Sequence, residues 1–271
     1  MNRQRHLRKV ISASRRVDLV SFYPDYTVDR IKRIGAENIH TLVIWTKNPK
    51  NILSHSGLKA CLKEVDQIYI LLTMTGLGGT ALEPFAPDTE EVFNQLPEII
   101  DFLGSPQRLG IRYDPLIDIV HKGKLRLSNI DTDLFDRVLE QASSLGIKRI
   151  IVSYVTLYKK VIERLKRNEF GIVDHNIEEI TDFIKNTMMP EVKNLGMELS
   201  TCVLPHLTTI GCIDGNTLSL LHPKQELCSK AKDRTQRQTC HCTKSYDIGQ
   251  WFSCYHNCLY CYGNPKNKGW S

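Results

Sequence analysis

Three cysteines near the end of the sequence have the spacing best suited to chemistry. Cys254, Cys258 and Cys261, here called the first cysteine group, follow the pattern Cys-x-x-x-Cys-x-x-Cys. Three thiolates this close in sequence can bind one face of an iron–sulfur cubane and leave its fourth iron without a protein ligand. A structural zinc ion would need a fourth ligand, which His256 or His241 could supply. The spacing predicts a metal site, with zinc as the alternative to a cluster.

Four more cysteines precede this motif and form the second cysteine group, namely Cys202, Cys212, Cys240 and Cys242. Four thiolates could hold an auxiliary [4Fe–4S] cluster or a structural zinc ion. They could also be unliganded thiols that share one long segment. We favour a second metal site, because clustered cysteines in a reducing compartment are typical of metal ligation.

The composition is that of a globular protein with a hydrophobic core. The chain has 271 residues, of which 41% are hydrophobic and 24% charged, and we expect one domain. No apolar run is long enough to cross a bilayer, and Met1–Lys9 lacks the apolar segment of a secretory signal. We therefore expect a cytoplasmic protein without membrane contact, in which cysteines stay reduced. Cys61 is predicted to be a core residue, and Cys228 has no assigned role.

Short apolar runs alternate with segments of helical periodicity over most of the sequence. The predicted strands are Val10–Ala13, Thr41–Trp45, Ile68–Thr73, Leu109–Tyr113, Arg149–Val152, Met197–Cys202 and, last, Ser245–Ile248. The predicted helices are Thr27–Ile34, Ile52–Val65, Thr89–Leu103, Asp131–Leu145, Leu157–Arg167 and Ile177–Lys193.

This alternation of strands and helices is typical of βαβ units and a parallel sheet. We expect an α/β fold that forms a partial or complete parallel (β/α) barrel. Its repeating units would occupy residues 1–201. A cysteine-rich segment, residues 202–271, would complete the barrel and carry the metal sites.

Charged residues follow the predicted strands at several ends. In parallel α/β barrels the loops at the C-terminal strand ends build the active site. Arg15, Arg16, Lys47, Arg112 and Asp114 are therefore candidate catalytic residues, and they suit a small-molecule substrate that carries a carboxylate or phosphate. The alternative is that Arg112 and Asp114 form a structural salt bridge.

The net charge of +6 includes a basic start, with Arg3, Arg5, Arg8 and Lys9 close together. These residues could form a basic face for a nucleic acid. No aromatic residues are interleaved with them to stack on bases, so we favour a solvated tail.

The first cysteine group resembles the signature of the radical S-adenosylmethionine enzymes, because an aromatic residue, Tyr260, precedes the last cysteine. The resemblance implies that the three cysteines bind a [4Fe–4S] cluster. The open iron would chelate the amino and carboxylate groups of S-adenosylmethionine. An electron, from a donor such as flavodoxin or ferredoxin, would then cleave the sulfonium and yield a 5′-deoxyadenosyl radical that abstracts hydrogen from a substrate.

The same resemblance implies cofactor contacts for a few further residues. Tyr260 would lie near the adenine. Thr73, Thr75 and Gly76 would approach the methionine moiety, although an ordinary strand-to-helix loop is the alternative there.

The position of the motif departs from that superfamily, where it usually follows the first strand. Here it follows the last predicted strand, Ser245–Ile248. In a curved barrel the first and last strands are neighbours, so a loop after the last strand could occupy the same place. We therefore expect a circularly permuted arrangement of the radical S-adenosylmethionine fold.

A closer resemblance extends over nearly the whole chain. It rests on the segments Ile11–Asp18, Trp45–Pro49, Thr75–Gly76, Arg112–Pro115, Cys212–Gly215, Cys240–Cys242 and Asp247–Gly249. These are similar to an uncharacterised bacterial family catalogued as domain of unknown function eighteen-forty-eight. That family is noted for radical-S-adenosylmethionine-like cysteines at its C-terminus, and it implies no substrate.

The sequence thus predicts a radical S-adenosylmethionine enzyme of unknown substrate. The first alternative is a non-catalytic iron–sulfur or zinc protein in electron transfer or metal sensing. The second is a metal-independent barrel enzyme whose cysteines only stabilise the C-terminal segment.

Overall fold

A computed structural model of the chain describes residues 7–204, 206–207 and 210–266. The basic residues Arg3 and Arg5, interpreted above as part of a solvated tail, lie outside the described residues. None of the helices in the described ranges is both long enough and apolar enough to cross a bilayer.

Within the described part of the chain, ten strands form two sheets. In chain order they are β1 Lys9–Ala13, β2 Ile39–Thr46, β3 Ile68–Thr73, β4 Leu109–Leu116, β5 Asp118–His121, β6 Leu125–Ser128, β7 Arg149–Tyr154, β8 Phe170–Ile172, β9 Glu198–Thr201 and β10 Tyr246–Asp247. The larger sheet has seven strands in the order β10-β1-β2-β3-β4-β7-β9, and every pair is parallel. The predicted α/β class and the seven predicted strands are confirmed.

The parallel sheet is buried on both faces, as the eight buried residues of β2 illustrate. This explains why its strands appear in the sequence as continuous apolar runs rather than as alternating patterns. Within the described residues no ladder joins β9 to β10, and closure into a complete barrel is not shown.

The last strand pairs with the first. Ile11 lies opposite Tyr246 and Ser12 opposite Asp247, and the Ile248 amide donates to the Ser12 carbonyl over 3.0 Å. Because the two strands are parallel, the loops that follow them leave the same edge of the sheet. The first cysteine group therefore begins beside the loop after β1.

Helices connect the strands. They are α1 Leu19–Phe22, α2 Pro24–Ile34, α3 Lys50–Ser54, α4 Ser56–Lys63, α5 Thr89–Phe93, α6 Leu96–Leu103, α7 Thr132–Ser144, α8 Lys159–Arg167, α9 Ile177–Phe183, α10 Met189–Asn194 and α11 Gly215–Leu220, with 3₁₀ turns at Ala36–Asn38 and Pro106–Arg108 and a π-helical segment at Ile184–Met188. Asp131 caps α7 by accepting from the Leu134 amide over 2.9 Å. Capping and a buried apolar face explain why α7 was predictable.

Two predicted helices are divided in the structure. The predicted helix 52–65 becomes α3 and α4, because His55 leaves the helical conformation and its ring caps α4 at the Leu58 amide. The predicted helix 89–103 becomes α5 and α6, and Pro97 lies in the first turn of α6. Proline fits a first turn because backbone amides there have no acceptor within the helix, so the amide hydrogen that proline lacks is not missed.

A second sheet was not predicted. Its strands β6, β5 and β8 are antiparallel and have three or four residues each. Such short segments show too little periodicity to be separated from loops. Asp118 in β5 pairs with Arg126 of β6 within this sheet, and it joins the sheet to the segment before α9 through His175, whose Nε2 lies 2.8 Å away.

The core beneath the sheet gives a first prediction. Phe135 of α7 is fully buried and packs edge-on against Tyr113 of β4, with ring centroids 5.1 Å apart. Phe135→Ala should lower the free energy of unfolding by about 3–5 kcal/mol, because it removes buried apolar surface and leaves a cavity. Urea denaturation measures this loss. The control Leu220→Ala changes a side chain that is 84% exposed and should stay within about 0.5 kcal/mol of the unaltered protein. Equal effects of the two changes would contradict this packing.

Candidate functional site

One cavity of about 400 Å³, here called the central cavity, opens at the C-terminal edge of the parallel sheet. Both cysteine groups line it. So do most of the other residues singled out from the sequence, namely Arg15, Arg16, Lys47, Thr73, Arg112, Asp114 and Tyr260. The structure thus brings together side chains from strands β3 and β4 and from the loops after β1, β2, β9 and β10.

The loop that carries the first cysteine group is held on both sides. The Cys254 amide donates to the Asn264 carbonyl over 2.8 Å, and the Leu259 amide donates to Leu82 over 3.0 Å. Arg164 of α8 donates to the Cys261 carbonyl over 2.6 Å. These contacts give the short loop a defined shape.

Asp18 is the residue that ties this loop to the sheet. Its Oδ2 accepts from Thr46 Oγ1, from the Lys47 amide and from His256 Nε2, each over 2.8 Å. Its Oδ1 caps α1 through the Ser21 amide over 3.1 Å. Burial raises the pKa of Asp18, but the hydrogen bond and charge of His256 and the other donors outweigh burial and leave the pKa below its usual value.

The thiols of the first cysteine group are buried, and burial raises all three pKa values. It raises the pKa of Cys254 to about 12, although the backbone amides of Asp18 and His256 donate to its sulfur. For Cys258 and Cys261 the positive charge of Lys47 opposes the effect of burial only in part. Thiolates are the metal-binding form, so binding of a metal cation here would be coupled to loss of protons.

A buried carboxylate, Glu83, organises the wall beside Cys258. Glu83 is 1% exposed and accepts from Lys47 Nζ over 2.8 Å, from Thr75 Oγ1 over 2.7 Å and from the Tyr260 hydroxyl. Burial raises the pKa of Glu83, and the ammonium of Lys47 outweighs this and lowers it. Lys47 is therefore a paired cation that faces the first cysteine group.

The candidates for contact with the methionine moiety divide into two sets. Thr73 lines the central cavity and accepts from Arg112 Nη1 over 3.3 Å. Thr75 and Gly76 are not among the residues that line the cavity. Thr75 binds Glu83 instead, and a Cβ on Gly76 would lie 2.6 Å from the Leu134 side chain.

The second cysteine group is assembled from three separate segments. All four cysteines line the central cavity, and Cys212, Cys240 and Cys242 belong to one hydrophobic cluster against which Cys202 packs. The backbones approach so closely that a Cβ on Gly211 would lie 2.3 Å from the Cys242 nitrogen. Only glycine fits at that position, so its place before Cys212 is structural.

The remaining two cysteines, Cys61 and Cys228, do not line the central cavity. Cys61 is buried in the main hydrophobic cluster, as the sequence predicts. The thiol of Cys228 lies 3.5 Å from Ser219 Oγ and 3.5 Å from the Gly215 carbonyl oxygen. Cys228 is thus a buried residue of the C-terminal segment.

Most of the predicted cations on the cavity have acidic partners. Arg112 pairs with Asp114, as the structural alternative predicts, and Ser153 also donates to Asp114. Arg16 pairs with Asp247 over 3.0 Å. Arg15 contacts Ser245 Oγ over 3.4 Å through its guanidinium.

The positions of the possible ligands bear on the two kinds of metal site expected from the sequence, a mononuclear zinc ion and an iron–sulfur cluster. Among the described residues, no three His, Cys, Asp or Glu side chains are arranged to hold a single ion. His256 already faces Asp18 and the Phe85 carbonyl with its two ring nitrogens, and His241 is exposed. The thiols of a cubane bind different irons and need not converge on one point. The three and four thiols on one cavity are therefore compatible with cluster ligation.

The chain matches the family described as "Domain of unknown function (DUF1848)" over residues 10–263. The chain belongs to this family. The match includes both cysteine groups and the C-terminal end of every strand in the parallel sheet. No curated protein matches the chain.

Two functionally placed residues were missed or misread in the sequence. Glu83 follows a glycine-rich loop and has no neighbouring motif, and its role appears only through Lys47 and Tyr260. His256 was expected only as an alternative zinc ligand, whereas the structure gives it the contact with Asp18.

The Glu83 contacts generate a prediction about buried charge. Glu83→Gln removes the counter-charge of Lys47 and should lower the free energy of unfolding by about 3–5 kcal/mol. Adding Lys47→Met to the same chain should recover part of this loss, because no unpaired charge then remains buried. Urea denaturation of both variants tests this. Asp29→Asn breaks an exposed pair with Arg33 and should cost at most about 1 kcal/mol. A double variant less stable than Glu83→Gln would contradict the pairing.

The Asp18 contacts generate a prediction about pH. Because the pKa of Asp18 is lower in the folded state than its usual 3.8, its ionised form stabilises the fold fully above that value. The contribution is lost as the pH falls through the folded-state pKa. The stability difference between the unaltered protein and Asp18→Asn should therefore be largest near neutral pH and shrink in acid. Urea denaturation from about pH 7 to about pH 2 measures it, and a difference that grows in acid would contradict this role.

Proposed function

We propose that this chain is a radical S-adenosylmethionine enzyme on a circularly permuted, partial α/β barrel. One observation carries the proposal. The first cysteine group opens onto a cavity at the C-terminal edge of a parallel sheet, directly beside the loop that follows β1. Active sites of parallel α/β folds lie at this edge.

The pairing of β10 with β1 supports the permutation. In the superfamily that the motif resembles, the cysteine loop follows the first strand. Here the loop follows β10, and β10 is the neighbour of β1. Two parallel neighbours deliver their following loops to the same edge, so the loop after β10 reaches the position of a loop after the first strand.

The cofactor-facing residues have separate proposed roles. Cys254, Cys258 and Cys261 would hold a [4Fe–4S] cluster. Such a cluster, when bound with S-adenosylmethionine, supplies one-electron cleavage of the sulfonium and hydrogen abstraction from a substrate. Lys47 offsets the negative charge of the thiolates. Tyr260, oriented by Glu83, forms the wall of the cavity next to Cys258.

Thr73, Thr75 and Gly76, the proposed cofactor contacts, differ in how directly they can act on a bound cofactor. Thr73 reaches the cavity surface, so its side chain can bind a cofactor or a substrate there. Thr75 acts through Glu83 and thereby through Tyr260. Gly76 allows the loop to pass close to Leu134 of α7.

The proposed substrate is a small molecule that carries a carboxylate or phosphate. The cavity lining is rich in cations, and guanidinium groups are suited to bidentate binding of both anions. Arg16 lines the cavity, and so does Arg237, which donates to Thr156 over 3.3 Å. Arg16 is half-buried and Arg237 is exposed, so a substrate can reach both from solvent.

The proposed protein partner is an electron donor such as flavodoxin or ferredoxin.

The second cysteine group is proposed to hold an auxiliary [4Fe–4S] cluster. Its four cysteines come together on the central cavity from three separate segments, as the ligands of a single metal centre do. Four protein ligands would leave no iron open. Its proposed role is therefore electron relay rather than chelation of substrate, and zinc is the alternative occupant.

The decisive measurement is anaerobic reconstitution with iron and sulfide. We expect about four irons per cluster and a reduced EPR signal that changes when S-adenosylmethionine is added. Replacing the first cysteine group with alanine should abolish that change. Replacing the second group should roughly halve the iron content and keep the change. Cys61→Ala, in the hydrophobic core, is the matched control and should retain both properties.

Other outcomes would overturn parts of this proposal. Stoichiometric zinc without iron would overturn the cluster and with it the radical enzyme. An intact cluster whose EPR signal ignores S-adenosylmethionine, and which does not cleave it, would favour the second candidate function. That candidate is electron transfer or metal sensing. The observation in its favour is that both cysteine groups line one cavity.

A further inference from the structure

Two arginines, one in the loop after β1 and one in β4, lie over one buried tryptophan. Trp45 of β2 is 7% exposed, and its Nε1 donates to Ser12 Oγ over 3.0 Å. The guanidinium carbon of Arg15 lies 5.1 Å from the centroid of the Trp45 ring, and that of Arg112 lies 4.9 Å from it. Both distances are typical of cation–π contacts, which hold a guanidinium in place. Arg15, Trp45 and Arg112 are here called the arginine platform.

The arginine platform adjoins the second cysteine group. Trp45 belongs to the same hydrophobic cluster as Cys212, Cys240 and Cys242, and Cys202 packs against that cluster. The positive charge of Arg112 acts on the thiols of Cys202 and Cys212, and at Cys202 it is opposed by the negative charge of Asp114, the ion-pair partner of Arg112. The positive charge of Arg15 acts on Cys242. The arginine platform therefore lies beside the thiols of Cys202, Cys212 and Cys242.

One donor of the platform is buried without an acceptor. Arg112 uses Nη2 for Asp114 and Nη1 for Thr73. Its Nε is buried and has no hydrogen-bond partner among the described residues. A buried donor that stays unpaired is costly, and a metal-bound thiolate or sulfide is an acceptor that would satisfy it.

The charge balance explains why such a platform is needed. Four thiolates carry more negative charge than the metal core of a zinc site or of an oxidised [4Fe–4S] cluster neutralises. Excess charge in a buried site is unfavourable unless cations compensate it. Arginine keeps its charge in such surroundings, and groups around the ligands of a metal site tune its affinity.

We infer that the arginine platform belongs to the second metal centre, where it compensates the charge of the four thiolates and donates from Arg112 Nε. This inference rests on the proposed second centre. It assigns Arg15 and Arg112 to that centre as positioning residues rather than to the substrate. Trp45, in the same cluster, then reports on metal binding through its fluorescence.

The test uses the full-length chain with the first cysteine group replaced by alanine, so that only the second group binds metal. Trp251→Phe and Trp270→Phe leave Trp45 as the sole tryptophan of the three in the sequence. The probe is ferrous iron with sulfide under anaerobic conditions. We expect iron uptake together with a loss of Trp45 fluorescence.

Variants of the platform then decide its role. Arg112→Gln and Arg15→Gln should each weaken iron retention against a chelator by about 10- to 100-fold. Arg112→Lys keeps the charge and should lose less. Arg108→Gln is the matched control, because Arg108 is a partly buried arginine just before β4, at the opposite end of the strand that carries Arg112. It should behave as the parent chain does.

Two results would overturn the inference in distinguishable ways. Unchanged iron retention and fluorescence response in both glutamine variants would overturn the platform alone. No iron uptake by the parent chain would overturn the platform and the second centre together. Neither result bears on the first cysteine group, whose EPR response to S-adenosylmethionine is measured in the chain with all cysteines present. In that chain Arg112→Gln should lower the iron content and leave this response in place.

Discussion

The parallel pairing of β10 with β1 is the contact on which the site depends. A ladder of two residues on each strand brings a loop near residue 254 next to a loop near residue 15. Its strength comes from what surrounds it. The Asp18 carboxylate accepts hydrogen bonds from Thr46 and Lys47 at the end of β2 and from His256 in the loop of the first cysteine group. The short ladder therefore acts together with a buried polar network. Such a network is rigid only when every member is satisfied, and here the donors of Thr46, Lys47 and His256 are all satisfied by one carboxylate.

Charge pairing governs the rest of the central cavity. Glu83 with Lys47, Arg112 with Asp114, and Asp18 with His256 all lie on or just behind its surface. Charges withdrawn from water must be paired with one another. This is why cations that look available for substrate in the sequence already have partners in the fold. It also gives each cysteine group its own compensating charge, Lys47 for the first and the Arg15 and Arg112 guanidiniums for the second.

The two cysteine groups differ in the number of their thiols and in the segments that supply them, as their proposed roles require. The first has three thiols on one short loop, with hydrogen bonds from the backbone and Lys47 beside them. The second has four thiols from three segments, with an apolar cluster behind them. Three ligands leave room for exchange at a cluster, and four do not. Because they share one cavity at the end of one sheet, a division between a reactive centre and a relay is physically reasonable.

The sequence by itself determined the strands of the parallel sheet, the helix at Thr132–Ser144 and the metal-ligand spacing of the first cysteine group. Each of these is local, since periodicity, caps and ligand spacing are properties of neighbouring residues. Tertiary structure alone decided that His256 binds Asp18, that Glu83 joins Lys47 to Tyr260, and that Cys202, Cys212 and Cys242 meet. The contacts of Glu83 and His256 span 36 to 238 residues. No local pattern encodes them, because each depends on which strand edges become neighbours when the sheet forms.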